Sequence, residues 1–221
     1  FQPVVSKRNP RAMIDLTEDN TKENRILGSL AGSFEIVDGL VFKTNIGMDN
    51  TVAIRRIDRS QQLVYLTSQG GSGDVNNREL SSWLIENTLQ YSRIFADVHN
   101  ISLLVGYSYQ NFLIHGYNIH TEGYTTDEIK YYNNLDGSDP TLSAPSSYAE
   151  KNELQSFFGR LNYNLMEKYL LTATLRRDGS TKFGTANKYG NFPSVAFAWR
   201  VSQEDFLQSV DVLSNLKLRI G

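Results

Sequence analysis

Apolar and polar residues alternate with a period of two along much of this chain. Between Arg25 and Ile36, positions Ile26, Gly28, Leu30, Gly32, Phe34 and Ile36 share one parity, and Leu27, Ser29, Ala31, Ser33 and Glu35 share the other. Successive side chains of a β-strand point to opposite faces, so this pattern predicts a strand whose faces meet different surroundings. The pattern returns at Leu40–Asp49, where Leu40, Phe42, Ile46 and Met48 oppose Lys43, Asn45 and Asp49. Ser81–Phe95 sets Trp83, Ile85, Leu89, Tyr91 and Phe95 against Ser82, Glu86, Thr88, Gln90 and Ser92. A fourth strand opposes Ile101, Leu103, Val105, Tyr107 and Tyr109 to Ser102, Gly106, Ser108 and Gln110. Four more follow: Ser156–Leu165, Tyr169–Arg176, Ser194–Arg200 and a last one from Leu216. Thr44 and Asn87 fall on the apolar parity, which predicts an interface position or a bulge at each.

The connections differ in length in a regular way. Val37-Asp38-Gly39, Ala96–Asn100 and Asn164–Lys168 are short, whereas residues 50–80, 111–152 and 178–191 are long and polar. Short and long connections in alternation predict an antiparallel meander whose tight turns all lie at one edge, as in a transmembrane β-barrel. Tyr91, Phe95, Tyr163, Tyr169 and Trp199 would then lie near the short-turn rim, and Tyr107, Tyr109 and Phe157 near the other, giving two aromatic girdles. Helical signals are sparse. Ser202 before Gln203-Glu204-Asp205 predicts a short capped helix, and residues 126–132 a helical turn or two.

Composition narrows the classes. The 221 residues carry 22 basic and 24 acidic side chains, a net charge of −2, which leaves no electrostatic footprint for nucleic acid. Without cysteine there is neither a disulfide frame nor a thiolate metal site. No apolar run approaches the roughly 20 residues of a membrane helix, a test to which β-barrel strands are blind. The opening residues Phe1-Gln2-Pro3-Val4-Val5-Ser6 lack a signal-peptide pattern, and the closing Leu216–Gly221 stop in mid-alternation. The expectation is a segment of a longer protein.

Candidate chemistry is thin. His99, His115 and His120 lack zinc-ligand spacing, and the Asn133–Asp139 run misses the register of an EF-hand calcium loop. Gly70-Gly71-Ser72-Gly73 has no following Lys-Ser/Thr and reads as a flexible loop rather than a phosphate cradle. No nucleophile elbow and no catalytic constellation is found, so neither enzyme activity nor a cofactor is expected. Tyr124, Tyr131, Tyr132 and Tyr148 lie in the longest connection. Their rings with nearby Asn and Asp could grip a sugar; the packing of a large loop on itself or on neighbouring loops is the favoured explanation.

The stretch Arg176-Arg177-Asp178-Gly179-Ser180-Thr181-Lys182-Phe183-Gly184, then Asn187–Ser194 and Val195–Arg200, resembles the barrel signature of SusC/RagA-type TonB-dependent transporters. Asn9-Pro10, Asn20–Gly28, Leu84–Leu89, Leu104–Gln110 and Leu213–Arg219 are similar to other stretches of that family in the same order. The resemblance implies an all-β fold: an antiparallel meander forming part of a large transmembrane outer-membrane β-barrel of a Gram-negative cell. Residues 1–221 would be a partial barrel domain, with the plug, TonB box and remaining strands outside it. It further implies import of a bulky nutrient, a glycan or a peptide, with a SusD-like surface lipoprotein, the TonB complex and outer-membrane lipid as partners. The alternative from the residues alone is a soluble all-β carbohydrate-binding module.

Overall fold

A computed structural model describes residues 9–207 and 215–221. It contains one eight-stranded sheet in which every strand pairs with its sequence neighbour, in the order β1 to β8. The strands are β1 (Thr17–Val37), β2 (Leu40–Arg59), β3 (Ser72–Phe95), β4 (His99–Glu122), β5 (Ala144–Leu165), β6 (Tyr169–Ser180), β7 (Tyr189–Arg200) and β8 (Lys217–Ile220). All eight expected strands are present, in the expected order. By contacts the chain divides into two units, Phe1–Leu27 with Asp49–Ser81 and Leu113–Lys151, and Gly28–Met48 with Ser82–Phe112 and Asn152–Gly221.

The second unit holds the tight turns and the alternating stretches. Asp38-Gly39 joins β1 to β2, with Gly39 at φ +77° and its carbonyl accepting from Ser92 N–H at 2.8 Å. A Cβ at Gly39 would sit 2.3 Å from the Ser92 carbonyl, so that turn requires glycine. The next two turns are alike without glycine: Ala96 and Asp97, then Met166 and Glu167, all take positive φ. Val98 O accepts from Met166 N–H, and Lys168 O from Arg200 N–H, both at 2.8 Å. Each turn is thereby tied to the following strand pair, which lines the three along one edge of the sheet.

Register carries the alternation across strands. On one face Phe157, Leu161 and Tyr163 stand opposite Arg177, Ala173 and Leu171 of β6. Leu171 and Ala173 in turn face Phe197 and Val195 of β7. Phe197 and Trp199 face Ile220 and Leu218 of β8. The other face pairs Arg160 with Thr174 and Asn162 with Thr172. The apolar face is uncovered: Leu103 is 45% and Val195 62% exposed, and Leu30, Phe34, Met48, Phe157 and Ile220 are exposed as well. Among the described residues the buried hydrophobic side chains are Ile57, Leu63, Leu66, Tyr124, Tyr131 and Val201. A soluble sandwich hides its apolar face against a second sheet. This sheet leaves it open, as expected where hydrocarbon is the solvent.

Aromatic residues mark both ends of the open face. Near the turns, His99 stacks on Tyr163 and bonds its hydroxyl at 2.7 Å. Glu204 accepts from Tyr169 Oη at 2.7 Å and from Trp199 Nε1 at 2.9 Å. At the far end Trp83 meets Tyr109, and Tyr107 meets Phe157, each with ring centroids 5.1 Å apart.

Several expectations need correction. β2 to β5 run 20 to 24 residues, about twice the alternating stretches that announced them. Residues 50–59, 72–80, 111–122 and 144–152, expected as loop, continue the strands. Period-two patterning records a difference between two faces, and it fades where both faces meet water. A helix over Pro10–Asp15 was not anticipated, although Asn9 caps it by accepting from Arg11 N–H at 3.0 Å and Pro10 opens it. The helix led by Ser202 is replaced by two 3-10 turns, Val201–Gln203 and Asp205–Leu207, and Ser202 N–H bonds Leu216 O at 3.2 Å. The rest of that connection, residues 208–214, lies outside the described residues, as do residues 1–8. Residues 126–132 hold no α-helix; 3-10 turns form at Tyr131–Asn133 and Leu135–Gly137.

Close packing on the polar face predicts a cost for bulk. A Cβ at Gly106 would lie 2.3 Å from the Phe158 ring. Gly106→Ala should destabilise the full-length barrel by about 1–3 kcal/mol, and a second change, Phe158→Leu, should recover part of it. Unfolding in lipid or detergent, followed by heat-modifiable gel mobility, measures both.

Candidate functional site

The first unit carries the connections between β2 and β3 and between β4 and β5, and three stretches of chain converge on one ring there. Tyr131, 2% exposed, stacks on Tyr124, 5% exposed, with centroids 4.2 Å apart. Tyr124 Oη donates to Thr121 Oγ1 at 2.6 Å, and Thr121 Oγ1 to Gly73 O at 2.9 Å. Burial pushes the Tyr124 hydroxyl above its ordinary pKa. The glycine run at 70–73 is therefore packed rather than flexible. Gly71 has φ +82°, and a Cβ there would fall 2.5 Å from the Tyr131 ring; one at Gly73 would fall 2.8 Å from Tyr131 Cβ. Absent side chains at 71 and 73 form the socket into which Tyr131 fits.

Charged groups hold the same loop to β1 and β2. Asp58, buried at the end of β2, accepts from Tyr131 N–H at 2.7 Å and Lys130 Nζ at 3.3 Å. Burial raises the Asp58 pKa, with the Lys130 bond pulling the other way. Lys130 also pairs with Glu18 at 3.1 Å, and Tyr132 Oη donates to Glu18 at 3.0 Å. The Lys130 bond, then the Tyr132 bond, lowers the Glu18 pKa. Asp127 accepts from Tyr131 Oη and from Ser60 Oγ, the latter at 2.7 Å. Glu18, Asp58, Ser60, Asp127 and Lys130, with Asp15 and Gln62, line an open polar cavity of about 430 Å³. Nearby, Arg59 pairs with Asp74, which also bonds His120 Nδ1 at 2.7 Å, while His120 Nε2 meets Glu122 at 3.1 Å. Burial alone would lower the His120 pKa; the Asp74 and Glu122 bonds outweigh it and raise the pKa above 6.5.

Of the four tyrosines picked out from sequence, three are brought together. Tyr124 and Tyr131 form the loop's interior. Tyr132 lies half-exposed, its hydroxyl on Glu18 and its ring 6.0 Å from the Arg56 guanidinium. Tyr148 stands apart on β5, 43% exposed, its hydroxyl 2.9 Å from where a Cβ at Gly116 would sit. Asp58, Asp127, Lys130 and the His120 cluster were not picked out; Asp58 meets Tyr131, Asp127 meets Ser60, Lys130 meets Glu18 and His120 meets Asp74 across 73, 67, 112 and 46 residues, so no local spacing signals them. Among the described residues no group of three or more His, Asp or Glu is arranged to hold a metal ion, and no helix is long and apolar enough to cross a membrane.

Residues 6–219 match the family model described as TonB dependent receptor-like, beta-barrel. The chain belongs to that family. Curated relatives include TonB-dependent receptor P3 of Formosa agariphila, 37% identical over 215 residues, covering 96% of this chain and 21% of that protein. TonB-dependent receptor SusC of Bacteroides thetaiotaomicron is 32% identical over 219 residues, covering 98% and 21%. Among solved structures the RagAB peptide transporter superposes with a TM-score of 0.84 at 21% identity, over 93% of this chain and 23% of that one, a likeness of fold. This TonB-dependent receptor segment thus spans about a fifth of the length of its curated relatives. The SusC/RagA resemblance drawn from its residues stands, and its relatives are receptors and transporters rather than enzymes.

Two outcomes follow for the full-length receptor. Gly71→Ala should strain the backbone and push against Tyr131, so protease should nick residues 123–143 faster while the barrel's heat-modifiability is kept. The His120 contribution should be fully present below about pH 6.5 and be lost as pH rises through the higher folded pKa. Nicking rates taken from pH 5 to 9 should rise over that window in the parent, and His120→Gln should flatten the step.

Proposed function

We propose that this chain supplies barrel wall and outer loops to a TonB-dependent importer of a bulky nutrient, a glycan or a peptide, across the outer membrane. The observation that carries this reading is the open apolar face of a sheet in which each strand pairs with its sequence neighbour, bounded at both ends by aromatic pairs. Hydrocarbon offers no hydrogen bonds to backbone groups, so only a closed ladder can span, with apolar side chains outward and polar ones toward the lumen. Family membership supports outer-membrane import as the class. SusC and RagAB as relatives support a SusD-like surface lipoprotein as partner. The TonB complex would act through parts of the protein beyond this segment, pulling on a plug to open the lumen.

In this reading the segment positions rather than reacts. Tyr124 and Tyr131 hold the 123–143 loop in shape from inside. Tyr132 and Tyr148 keep ring surface accessible, and ligand contact is assigned to them. A stacked ring with amide neighbours suits a glycan, which is why the glycan is placed before the peptide.

The face assignment is testable at β4. Leu103→Arg puts a charge on the lipid side near mid-strand and should destabilise a complete barrel by about 2–4 kcal/mol at the bilayer midplane. Ser102→Arg, on the lumen side, should be tolerated better. Unfolding in lipid of a plug-deleted barrel makes the comparison; greater damage from Ser102→Arg would reverse the faces.

A further inference from the structure

The β6–β7 hairpin is shorter than its neighbours. Both strands have 12 residues, against 20 to 24 in β2 to β5. Twelve residues extend about 40 Å, which a tilt of roughly 40° reduces to about 30 Å of height. An outward apolar band is roughly 25 Å tall, so this hairpin turns over at headgroup level.

Its upper end is built for that level. Arg177 lies on the apolar parity, directly opposite Phe157. Its guanidinium sits 4.9 Å from the centroid of the Tyr189 ring. That ring lies across Gly179, where a Cβ would come within 2.4 Å of it. Tyr189 Oη donates to Gln155 Oε1 at 2.9 Å, and Gln155 Nε2 donates to Tyr107 Oη at 3.2 Å. Beside this row is a cleft of about 200 Å³ lined by Tyr109, Gln155, Thr181, Lys188 and Tyr189, with Glu153 as its one carboxylate. Thr181 ties the cleft's walls together: its hydroxyl accepts from Glu153 N–H at 2.8 Å and its own N–H donates to Glu153 O at 3.0 Å.

Charge at the hairpin is one-sided. Residues 176–191 hold Arg176, Arg177, Lys182 and Lys188 against Asp178 alone. Asp178 is taken by Arg176 at 2.7 Å. Arg177 and Lys188 form no ion pair among the described residues. Cations beside aromatic rings, at the rim of an exposed apolar band that includes Phe157, Leu175 and Val195, match an amphiphile with an anionic head.

We infer that the top of the β6–β7 hairpin binds the phosphate-bearing headgroup of an outer-leaflet lipid. Arg177 and Lys188 supply the charge, and Tyr109 and Tyr189 wall the site. The Ser180 and Thr181 hydroxyls offer hydrogen bonds, and the acyl chains run down the band past Phe157 and Leu175. The site rests on the outer-membrane barrel reading above.

The test uses the full-length receptor in detergent, titrated with lipid A and followed by native mass spectrometry. The parent should take up lipid A in a salt-dependent manner. Each charge removed should weaken uptake about fivefold, so Arg177→Gln with Lys188→Gln should weaken it on the order of 30-fold. Inorganic phosphate at millimolar concentration should not compete, since it cannot use the band. Heat-modifiable gel mobility is read on every variant: loss of it in the parent defeats the barrel reading itself. Heat-modifiable proteins with equal uptake by parent and double variant defeat the lipid site alone, as does full competition by phosphate. A dimer that the double variant dissociates, with lipid uptake unchanged, would assign this face to a second copy and overturn the inference as well.

Discussion

The backbone hydrogen-bond ladder is the constraint on which the rest of this structure depends. In hydrocarbon an unpaired N–H or C=O costs several kcal/mol, more than any single side chain here can return. A sheet in which every strand pairs with its sequence neighbour meets that demand along each paired stretch, while the outer edges of β1 and β8 have no further strand in this sheet. Once the ladder is set, geometry dictates the side chains. Odd positions of β4, such as Leu103 and Val105, share one solvent, and even ones, such as Ser102 and Gly106, share the other. The tight turns are its hinges, and the bonds from Ser92, Met166 and Arg200 to turn carbonyls carry the pairing around each corner.

The part of the fold legible in the sequence is the part where the two faces differ. Phe34, Met48, Trp83, Leu103, Phe157 and Val195 announced their strands because polar residues stand between them. The outer continuations of β2 to β5 went unread, since runs such as Asn50–Arg59 and Asn111–Glu122 have similar surroundings on both sides. The missed Pro10–Asp15 helix was readable: an asparagine cap before proline is a sufficient signal in so short a piece.

The loop site was less legible than the wall, for a reason that Tyr131 illustrates. The four tyrosines could be picked out by type, but whether a ring offers its face or buries it depends on residues far along the chain. Gly71 and Gly73 receive Tyr131, and Asp58 takes its N–H from 73 residues away. No spacing rule connects them. The charged cluster of Arg59, Asp74, His120 and Glu122 is likewise assembled from three strands. Wall and loops thus draw on different physics: hydrocarbon and ladder for one, buried rings and ion pairs for the other.

The central claim is that one face of this sheet meets lipid and the other a watery lumen. The segment contains no cysteine, so single cysteines can be placed one at a time from Ile101 to Tyr109 in a cysteine-free receptor. Each is then offered a membrane-impermeant maleimide and a lipid-partitioning one, with the plug deleted and the barrel in bilayers. Residues 102, 104, 106 and 108 should react with the water-soluble reagent and 103, 105 and 107 with the lipid-partitioning one. Uniform reaction of all positions with the water-soluble reagent would contradict the account.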